Sequence, residues 1–220
     1  MTILRVHFVR HGETEANRQQ IVQGQLDTEL NELGHKQAGL VAKRLRHVPF
    51  EIAFSSDLSR AKKTAEAILS YHQGVTLEEQ KDLRERFMGN LQGKEWAFKM
   101  AGPLDETIER SDVFIKRINR WWEKHLASLP PKPDETAHEI LVVSHGGVIG
   151  TLVRSLIRQQ RLKCAQGVLV LACQNTSVSV IEVEMDGKGV VREYGNISHL
   201  EGMSELTLLK TNVDEGVLRN

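Results

Sequence analysis

The sequence predicts an α/β fold, a three-layer α/β/α sandwich built around a mostly parallel mixed sheet. Two observations support this fold class. β-Branched and aromatic runs of strand length alternate along the chain with longer segments of helical periodicity, which is typical of parallel strands joined by crossover helices. The chain has 220 residues, of which 40% are hydrophobic, so it can bury the core of one such domain. We therefore expect a single domain over residues 1–220.

The first half of the chain has clear strand and helix patterns. Residues 3–9 are rich in β-branched and aromatic side chains, a composition typical of a buried strand, and lead into Arg10 and His11. Residues 33–45 carry apolar side chains at helical spacing, and Asn31 is their candidate N-cap. The next predicted elements are a strand at 52–54, a helix at 58–71 with cap candidates Ser55, Ser56 and Asp57, and a weak strand at 75–77.

The second half begins with a long amphipathic helix, predicted from about residue 105 to residue 129, after Pro103. Pro130, which opens a proline-rich linker, ends this helix. A buried strand at 140–143 then leads into His145. The last predicted elements are a helix at 148–157 and two strands at 177–183 and 190–194, joined by a turn at Asp186-Gly187.

Charge and cysteine usage exclude several classes of protein. Lys and Arg total 29 and Asp and Glu total 29, so the net charge is zero and no nucleic-acid partner is expected. The two cysteines, Cys164 and Cys173, form neither a CxxC motif nor a disulfide framework, which fits a reducing compartment. The apolar runs are too short for a signal peptide or a membrane span. We expect a cytoplasmic protein; a nuclear pool and the oligomeric state stay open.

Three predicted strands end in residues that suit an anion. The first leads into Arg10 and His11, the second is followed by a helix with Arg60 in its first turn, and another leads into His145. Ligands of an open α/β sheet bind beyond the carboxyl ends of its strands, so these side chains are expected in one crevice. Arginine matches phosphate oxygens bidentately, and a histidine with one ring nitrogen held as a lone pair attacks phosphorus. The sequence thus predicts a phosphate site.

Four segments, in order, resemble motifs of the histidine phosphatase superfamily, the phosphoglycerate-mutase-like proteins: FVRHGET, SSDLSRAKKTA, LRERFMG and VVSHGG. The resemblance runs from Ile3 to about Leu200. QNTSVSVIEV and GNISHLEG are similar to the C-terminal part of small fungal broad-specificity phosphatases, and LRERFMGNLQGKEW is similar to fructose-bisphosphatase-like members. The resemblance implies a phosphatase that hydrolyses monoesters of small metabolites, with sugar phosphates as candidates, through a phosphohistidine.

The resemblance also implies a role for individual residues. His11 matches the nucleophile, and Glu85 matches the acid that protonates the leaving oxygen and later activates water. The residues implied to contact the transferred phosphoryl group are Arg10, Asn17, Gly24, Arg60, His145 and Gly146. For Glu85 a structural reading stays open, in which Arg84 and Arg86 pair with it in a turn.

The same residues argue against three alternative functions. In the superfamily that the chain resembles, the mutase branch carries a long basic insertion between the residues that match Glu85 and His145. Here that interval is 145 − 85 = 60 residues and contains no Arg-Arg cluster, so a phosphoglycerate mutase-type phosphotransferase is disfavoured. A non-catalytic phospho-ligand-binding relative is expected to have lost a core residue, and none is lost. A metal site of His7, His11 and His145 lacks the carboxylates of metallophosphatases, so neither metal nor cofactor is expected.

The substrate side of the site is assigned to residues 86–135, a segment expected to form a lid and one wall of the crevice. The candidates for a second substrate contact are Lys94, Trp96, Lys99 and Arg110. The expected partner is a small phosphorylated metabolite, and lid segments of this kind set the choice among such substrates.

Overall fold

The computed structural model describes residues 1–96 and 106–203, and within these ranges seven strands form one mixed sheet. The strands are β1 (Thr2–Arg10), β2 (Ile52–Ser55), β3 (Leu77–Glu79), β4 (His138–Ser144), β5 (Leu162–Cys164), β6 (Val178–Glu184) and β7 (Gly189–Asn196). Their order across the sheet is β3-β2-β4-β1-β6-β7-β5. Strand β6 runs antiparallel to β1 and β7, whereas the other four neighbouring pairs are parallel.

Helices connect the strands on both faces of the sheet. They are α1 (Glu15–Arg18), α2 (Glu32–Leu45), α3 (Ser59–Leu69), α4 (Ser111–Trp122), which continues as a π-helical turn at Glu123–Ala127, and α5 (Gly146–Arg158). Short 3-10 turns lie at Lys81–Leu83, Gly89–Leu91 and Ser198–Leu200. Because parallel strands require crossover connections, this arrangement follows directly from the alternation of patterns in the sequence.

Two hydrophobic cores, one on each face of the sheet, confirm the three-layer α/β/α prediction. Along β1, Val6 and Phe8 pack in the core formed with α4 and α5. Val9 packs in the other core, formed with α2 and α3. This division reflects the alternation of side chains across a strand, here between two buried faces. Trp121 and Trp122 are buried in the first core, in the packing role expected for tryptophans on an amphipathic helix.

The prediction of one long helix from residue 105 is wrong at its start. Helix α4 begins at Ser111, with Arg110 as its N-cap. Before it, the backbone N–H of Glu109 donates to the carbonyl of Phe87 at 2.9 Å. Residues before α4 are therefore paired with the segment that carries Glu85, and this tertiary contact overrides their helical periodicity. Pro103 lies outside the described residues.

Other boundaries are partly confirmed. Asn31 caps α2, since its side-chain oxygen accepts from the Gly34 N–H at 2.8 Å. The N-cap of α3 is Leu58, without a side-chain cap bond, so the prediction of Ser55, Ser56 or Asp57 as the N-cap is wrong. The weak strand forms two residues later than predicted, as β3, and the three-residue β5 was not predicted. In the described part of the chain, no helix has the length and apolar character needed to cross a bilayer.

Candidate active site

The two histidines of the site are placed by neighbouring parallel strands. Strands β1 and β4 pair in register up to Arg10 opposite Ser144. The His11 N–H continues the pairing by donating to the Ser144 carbonyl at 3.0 Å. His11 and His145 therefore leave the sheet side by side, and their ring centroids lie 5.1 Å apart. The predicted convergence of these two strand ends is confirmed.

The ring of His11 is held in a single orientation. Its Nδ1 lies 2.7 Å from the Gly12 carbonyl oxygen, which can only accept, so Nδ1 carries the proton and Nε2 has a lone pair. Burial lowers the pKa of His11 well below its ordinary value, and the positive charges of Arg60 and Arg10 lower it further. A neutral imidazole with a bare Nε2 is the form required of a nucleophile.

Two glycines let the loop after β1 lie close to the start of α2. A Cβ atom on Gly12 would lie 2.6 Å from the carbonyl oxygen of Gly34. A Cβ atom on Gly34 would overlap the backbone of Glu13. The Gly12 N–H donates to the Thr64 hydroxyl at 3.0 Å, which ties the same loop to α3. Both contacts fix the backbone on which the His11 ring depends.

Both predicted arginines are fully buried and anchored by backbone carbonyls. Arg10, the last residue of β1, donates from Nη1 to the Cys173 carbonyl at 2.7 Å. Arg60, in the first turn of α3, donates to the carbonyls of Leu26 and Gly24 at 2.7 and 2.8 Å. These bonds fix the guanidinium planes and place two permanent positive charges close enough to lower the pKa of His11 and His145.

His145 is the N-cap residue of α5 and is completely buried. Its Nε2 lies 2.9 Å from the Ser56 hydroxyl, whereas its Nδ1 contacts no hydrogen-bonding atom within the described ranges. Burial lowers its pKa well below the ordinary value, and the positive charges of Arg60, Arg10 and Arg117 lower it further. A buried ring with an open Nδ1 beside two arginines is suited to contact an anionic oxygen.

The carboxylate of Glu85 reaches the start of helix α5. It is 1% exposed and accepts from the backbone N–H of Arg86 at 2.7 Å and from that of Gly147 at 2.9 Å. A Cβ atom on Gly147 would overlap this carboxylate, so the approach requires a glycine there. The Glu85 carboxylate thus contacts the first turn of α5, the helix whose N-cap residue is His145. A carboxyl group at this position is suited to exchange a proton with a bound group.

The side chains of the arginines on either side of Glu85 both contact other residues. Arg84 forms a bidentate pair with Asp57, with N–O distances of 2.7 and 2.6 Å. Arg86 donates from Nε to the Glu109 carbonyl at 2.7 Å. The structural reading of Glu85 is wrong for Arg84, whose ion-pair partner is Asp57. Burial lowers the pKa of Arg86, and the charges of Glu109 and Glu85 act in the opposite direction, so Arg86 does interact with Glu85.

The remaining predicted contact residues lie around the same crevice. Asn17 is buried, its Oδ1 accepts from the Thr14 N–H at 3.2 Å, and its Nδ2 has no acceptor among the residues described. Gly24 has a φ of +50° and holds Arg60 through its carbonyl. Gly146 is the first residue of α5. Asn17 therefore offers an open donor, whereas contacts from Gly24 and Gly146 to a ligand stay predictions.

Sequence reasoning missed three supporting positions. Asn175 donates from Nδ2 to the His11 carbonyl at 3.0 Å, and the Thr176 N–H donates to the same carbonyl at 3.2 Å. Gln23 is buried, accepts from the hydroxyls of Thr14 and Thr28, and leaves Nε2 without an acceptor in the described ranges. Residues 174–177, QNTS, belong to a motif noted in the sequence, but the sequence alone does not show that this segment packs against the end of β1.

The candidate residues for a second substrate contact differ in their exposure to solvent. Lys94 is exposed, Trp96 is partly exposed and Lys99 lies outside the described residues. Arg110 is 80% exposed in its side chain and pairs with Asp112 at 3.1 Å. Across residues 1–96 and 106–203, no group of three or more His, Cys, Asp or Glu side chains could hold a metal ion.

The family to which the chain belongs is shown by comparison with known proteins. The model of the histidine phosphatase superfamily (branch 1) matches residues 6–196. The chain therefore belongs to this superfamily.

Individual relatives support this assignment to the superfamily. The chain is 32% identical over 210 residues to the broad-specificity phosphatase YOR283W of Saccharomyces cerevisiae, covering 90% of this chain and 88% of that protein. It is 35% identical over 203 residues to phosphoglycerate mutase-like protein 4 of Arabidopsis thaliana, covering 88% and 85%. The solved structure of a phosphoglycerate mutase from Bacillus anthracis is similar with a TM-score of 0.72 at 27% identity, covering 90% and 95%.

Proposed function

We propose that this protein is a phosphatase that hydrolyses phosphate monoesters of small metabolites through a phosphohistidine on His11. The observation that carries the proposal is the state of the His11 ring. Its Nδ1 is held by the Gly12 carbonyl, and burial, followed by the charges of Arg60 and Arg10, lowers its pKa so that the ring is neutral. The broad-specificity phosphatase among the relatives supports the same reaction class.

The first step is transfer of the phosphoryl group to His11. The Nε2 lone pair attacks phosphorus, and the bond between phosphorus and the ester oxygen breaks. Arg10 and Arg60 neutralise the charge on the non-bridging oxygens, and the open Nδ1 of His145 is suited to contact the same group. An alkoxide is a poor leaving group, so the departing oxygen takes a proton from Glu85.

The second step returns the enzyme to its starting state. Glu85, now a carboxylate, accepts a proton from a water molecule as the water oxygen attacks phosphorus. The bond between phosphorus and Nε2 breaks, inorganic phosphate leaves, and Glu85 again holds the proton. One carboxyl group serves both steps because each needs a proton at the same face of the phosphorus.

Water, not a retained substrate, is the final acceptor in this proposal. The support is the sequence interval between Glu85 and His145, which has no Arg-Arg cluster to hold a phosphorylated intermediate. Mutase-named relatives make phosphoglycerate isomerisation the second candidate activity. We assign the substrate-side wall to residues 86–135 and expect the enzyme in the cytoplasm, with sugar phosphates as candidate substrates.

The test of the proposal is substitution of the nucleophile. His11→Ala should abolish both turnover and the acid-labile label left on the protein by a ³²P-labelled monoester, while the far-UV spectrum stays that of wild type. His35→Ala, which removes an exposed histidine of α2, is the matched control and should label and turn over normally. Turnover by His11→Ala near the wild-type rate contradicts the proposal.

Two further measurements separate the alternatives. Exhaustive chelation should leave kcat unchanged, because the charge on the phosphoryl group is met by arginines and histidines; activity that returns only with a divalent ion would favour a metallophosphatase. Phosphate release from a panel of sugar phosphates, reported as kcat/KM, should far exceed isomerisation of phosphoglycerate. Predominant isomerisation overturns the choice of water, and absence of all turnover favours a binding protein.

A further inference from the structure

The segment that carries Glu85 lies outside the sheet and the long helices. Between β3 and α4 the described residues contain two single 3-10 turns, Lys81–Leu83 and Gly89–Leu91. Glu85 lies between these turns, where no ladder of backbone bonds fixes its position. Since a general acid must be held within a fraction of an ångström of its target, other contacts have to supply the rigidity.

Arg117, on helix α4, holds the backbone of this segment from one side. Its Nη1 donates to the carbonyls of Asp82 and Arg84 at 2.7 and 2.9 Å. Its Nη2 donates to the carbonyl of Glu85 itself at 3.3 Å. The guanidinium also lies over the ring of Phe114, 5.0 Å from its centroid. One planar group of fixed charge therefore joins three carbonyls of the acid segment to a long helix.

Glu109 holds Arg117 and the other side of the segment. Its two carboxylate oxygens accept from Nε and Nη2 of Arg117 at 3.0 and 2.9 Å. The carboxylate also accepts from the Phe87 N–H at 3.1 Å, and the Glu109 carbonyl accepts from Nε of Arg86 at 2.7 Å. The side chains of the pair are only 13% and 12% exposed, so water screens it weakly.

We propose that Arg117 and Glu109 are positioning residues for Glu85, holding its backbone on both sides so that the carboxyl group stays in line for proton transfer. The inference rests on the proposed function, since it assigns a purpose to contacts around the proposed acid. Neither residue touches the substrate in this assignment. They act mainly through the backbone of residues 82–87, and the charge of Arg117 is the smallest of those that lower the pKa of His145. Their loss is therefore expected to affect the proton-transfer step more than phosphate binding.

The leaving group provides the test. Arg117→Met should slow formation of the phosphoenzyme from an alkyl phosphate by roughly 10- to 100-fold, the order expected when a catalytic group shifts by about 1 Å. The same variant should change phosphoenzyme formation from 4-nitrophenyl phosphate by less than about threefold, because that phenol leaves without a proton. Arg120→Met, an exposed arginine one turn along α4, is the matched control and should leave both rates unchanged.

A double-mutant cycle with Glu85→Gln shows whether the effect passes through Glu85. In the Glu85→Gln background, Arg117→Met should have no further effect on the alkyl phosphate, because there is no proton left to position. Rate losses that multiply independently overturn the proposal, as do equal losses on the two leaving groups. If Arg117→Met fails to fold, Glu109→Gln is measured in the same way and should show the same dependence on the leaving group, with a smaller loss.

The outcomes keep this inference separate from the proposed function. Wild-type protein that hydrolyses monoesters without labelling His11 contradicts the proposed function. Labelled wild-type protein in which Arg117→Met and Glu109→Gln slow both leaving groups equally contradicts the positioning role alone. Arg117→Lys adds a further check: a lysine cannot bind three carbonyls and a carboxylate in one plane, so it should recover only part of the rate.

Discussion

The two halves of the site are built by different means. The half that contains His11 and His145 follows the ends of β1 and β4, so its geometry is set by strand register and backbone hydrogen bonds. The half that contains Glu85 is an irregular segment held by the side chains of Arg117 and Glu109, and the Glu85 carboxylate accepts from the Gly147 N–H of α5. Backbone register survives most side-chain substitutions, whereas a side-chain brace is lost with one substitution. Residues that touch no substrate should therefore influence catalysis mainly in the Glu85 half.

The largest effect that separates the halves is expected from Glu85→Gln, which keeps the shape of the side chain but cannot deliver a proton. Phosphoenzyme formation from a sugar phosphate should fall by roughly two to four orders of magnitude, the usual contribution of a positioned acid. Formation from an activated aryl phosphate should fall far less. Dephosphorylation then becomes limiting, so a burst of phenol is expected in rapid-mixing experiments. Equal losses on both substrates would show that Glu85 only holds the pocket together.

A smaller effect is expected from Gly147→Ala, which acts where the two halves meet. The added methyl group would overlap the Glu85 carboxylate and force it away from the start of α5. We expect a loss of roughly 10- to 100-fold with a sugar phosphate, and little change with an aryl phosphate. Gly150→Ala on the same helix is the control, because its methyl group would meet only the flexible end of Arg154. Wild-type rates for Gly147→Ala would contradict the close approach of the Glu85 carboxylate to Gly147.

The pH dependence sharpens the description of the histidine half. The pKa of His11 and that of His145 are both lowered well below 6.5, so both rings stay neutral as the pH falls through that value. The acid limb of kcat/KM that reports nucleophile protonation should lie below pH 6.5. Titration of the two rings by NMR, in protein free of phosphate, separates this limb from ionisation of the substrate. A ring that gains its proton at pH 6.5 or above contradicts the electrostatic account.

The smallest effect concerns stability, at a histidine behind the site. His199 lies between Arg44 and Thr176, and burial followed by the charge of Arg44 lowers its pKa to about 4. A group with a depressed folded-state pKa stabilises the protein fully above its unfolded-state value of 6.5, and that contribution is lost as the pH falls towards 4. The free energy of unfolding in urea should thus drop less between pH 7 and pH 5 in His199→Gln than in wild type. An equal drop in both proteins would exclude His199 as a source of acid sensitivity.

The sequence by itself determined the histidine half of the site and the layers of the fold. Segments rich in β-branched and other apolar residues predicted the buried strands β1 and β4, and their ends placed His11 and His145 at one edge of the sheet. These features are local: side-chain periodicity and the residue that follows a strand are both read from neighbouring letters. The parallel sheet then brings the ends together without further information, because crossover connections leave parallel strands with their carboxyl ends on one edge.

Only the tertiary structure decided how Glu85 is held. Arg117 lies 33 residues from the Arg84 carbonyl that it binds, and Asn175 lies 164 residues from the His11 carbonyl. Such long-range contacts leave no periodic pattern in the sequence. An arginine or asparagine that makes one has the same residue type as any other arginine on the surface or asparagine in a loop. The same reason explains the misplaced start of α4, where pairing of Glu109 with Phe87 outweighs helical periodicity. The local sequence pattern determines where the chain forms strands, whereas side chains distant in sequence determine the position of the Glu85 carboxyl group.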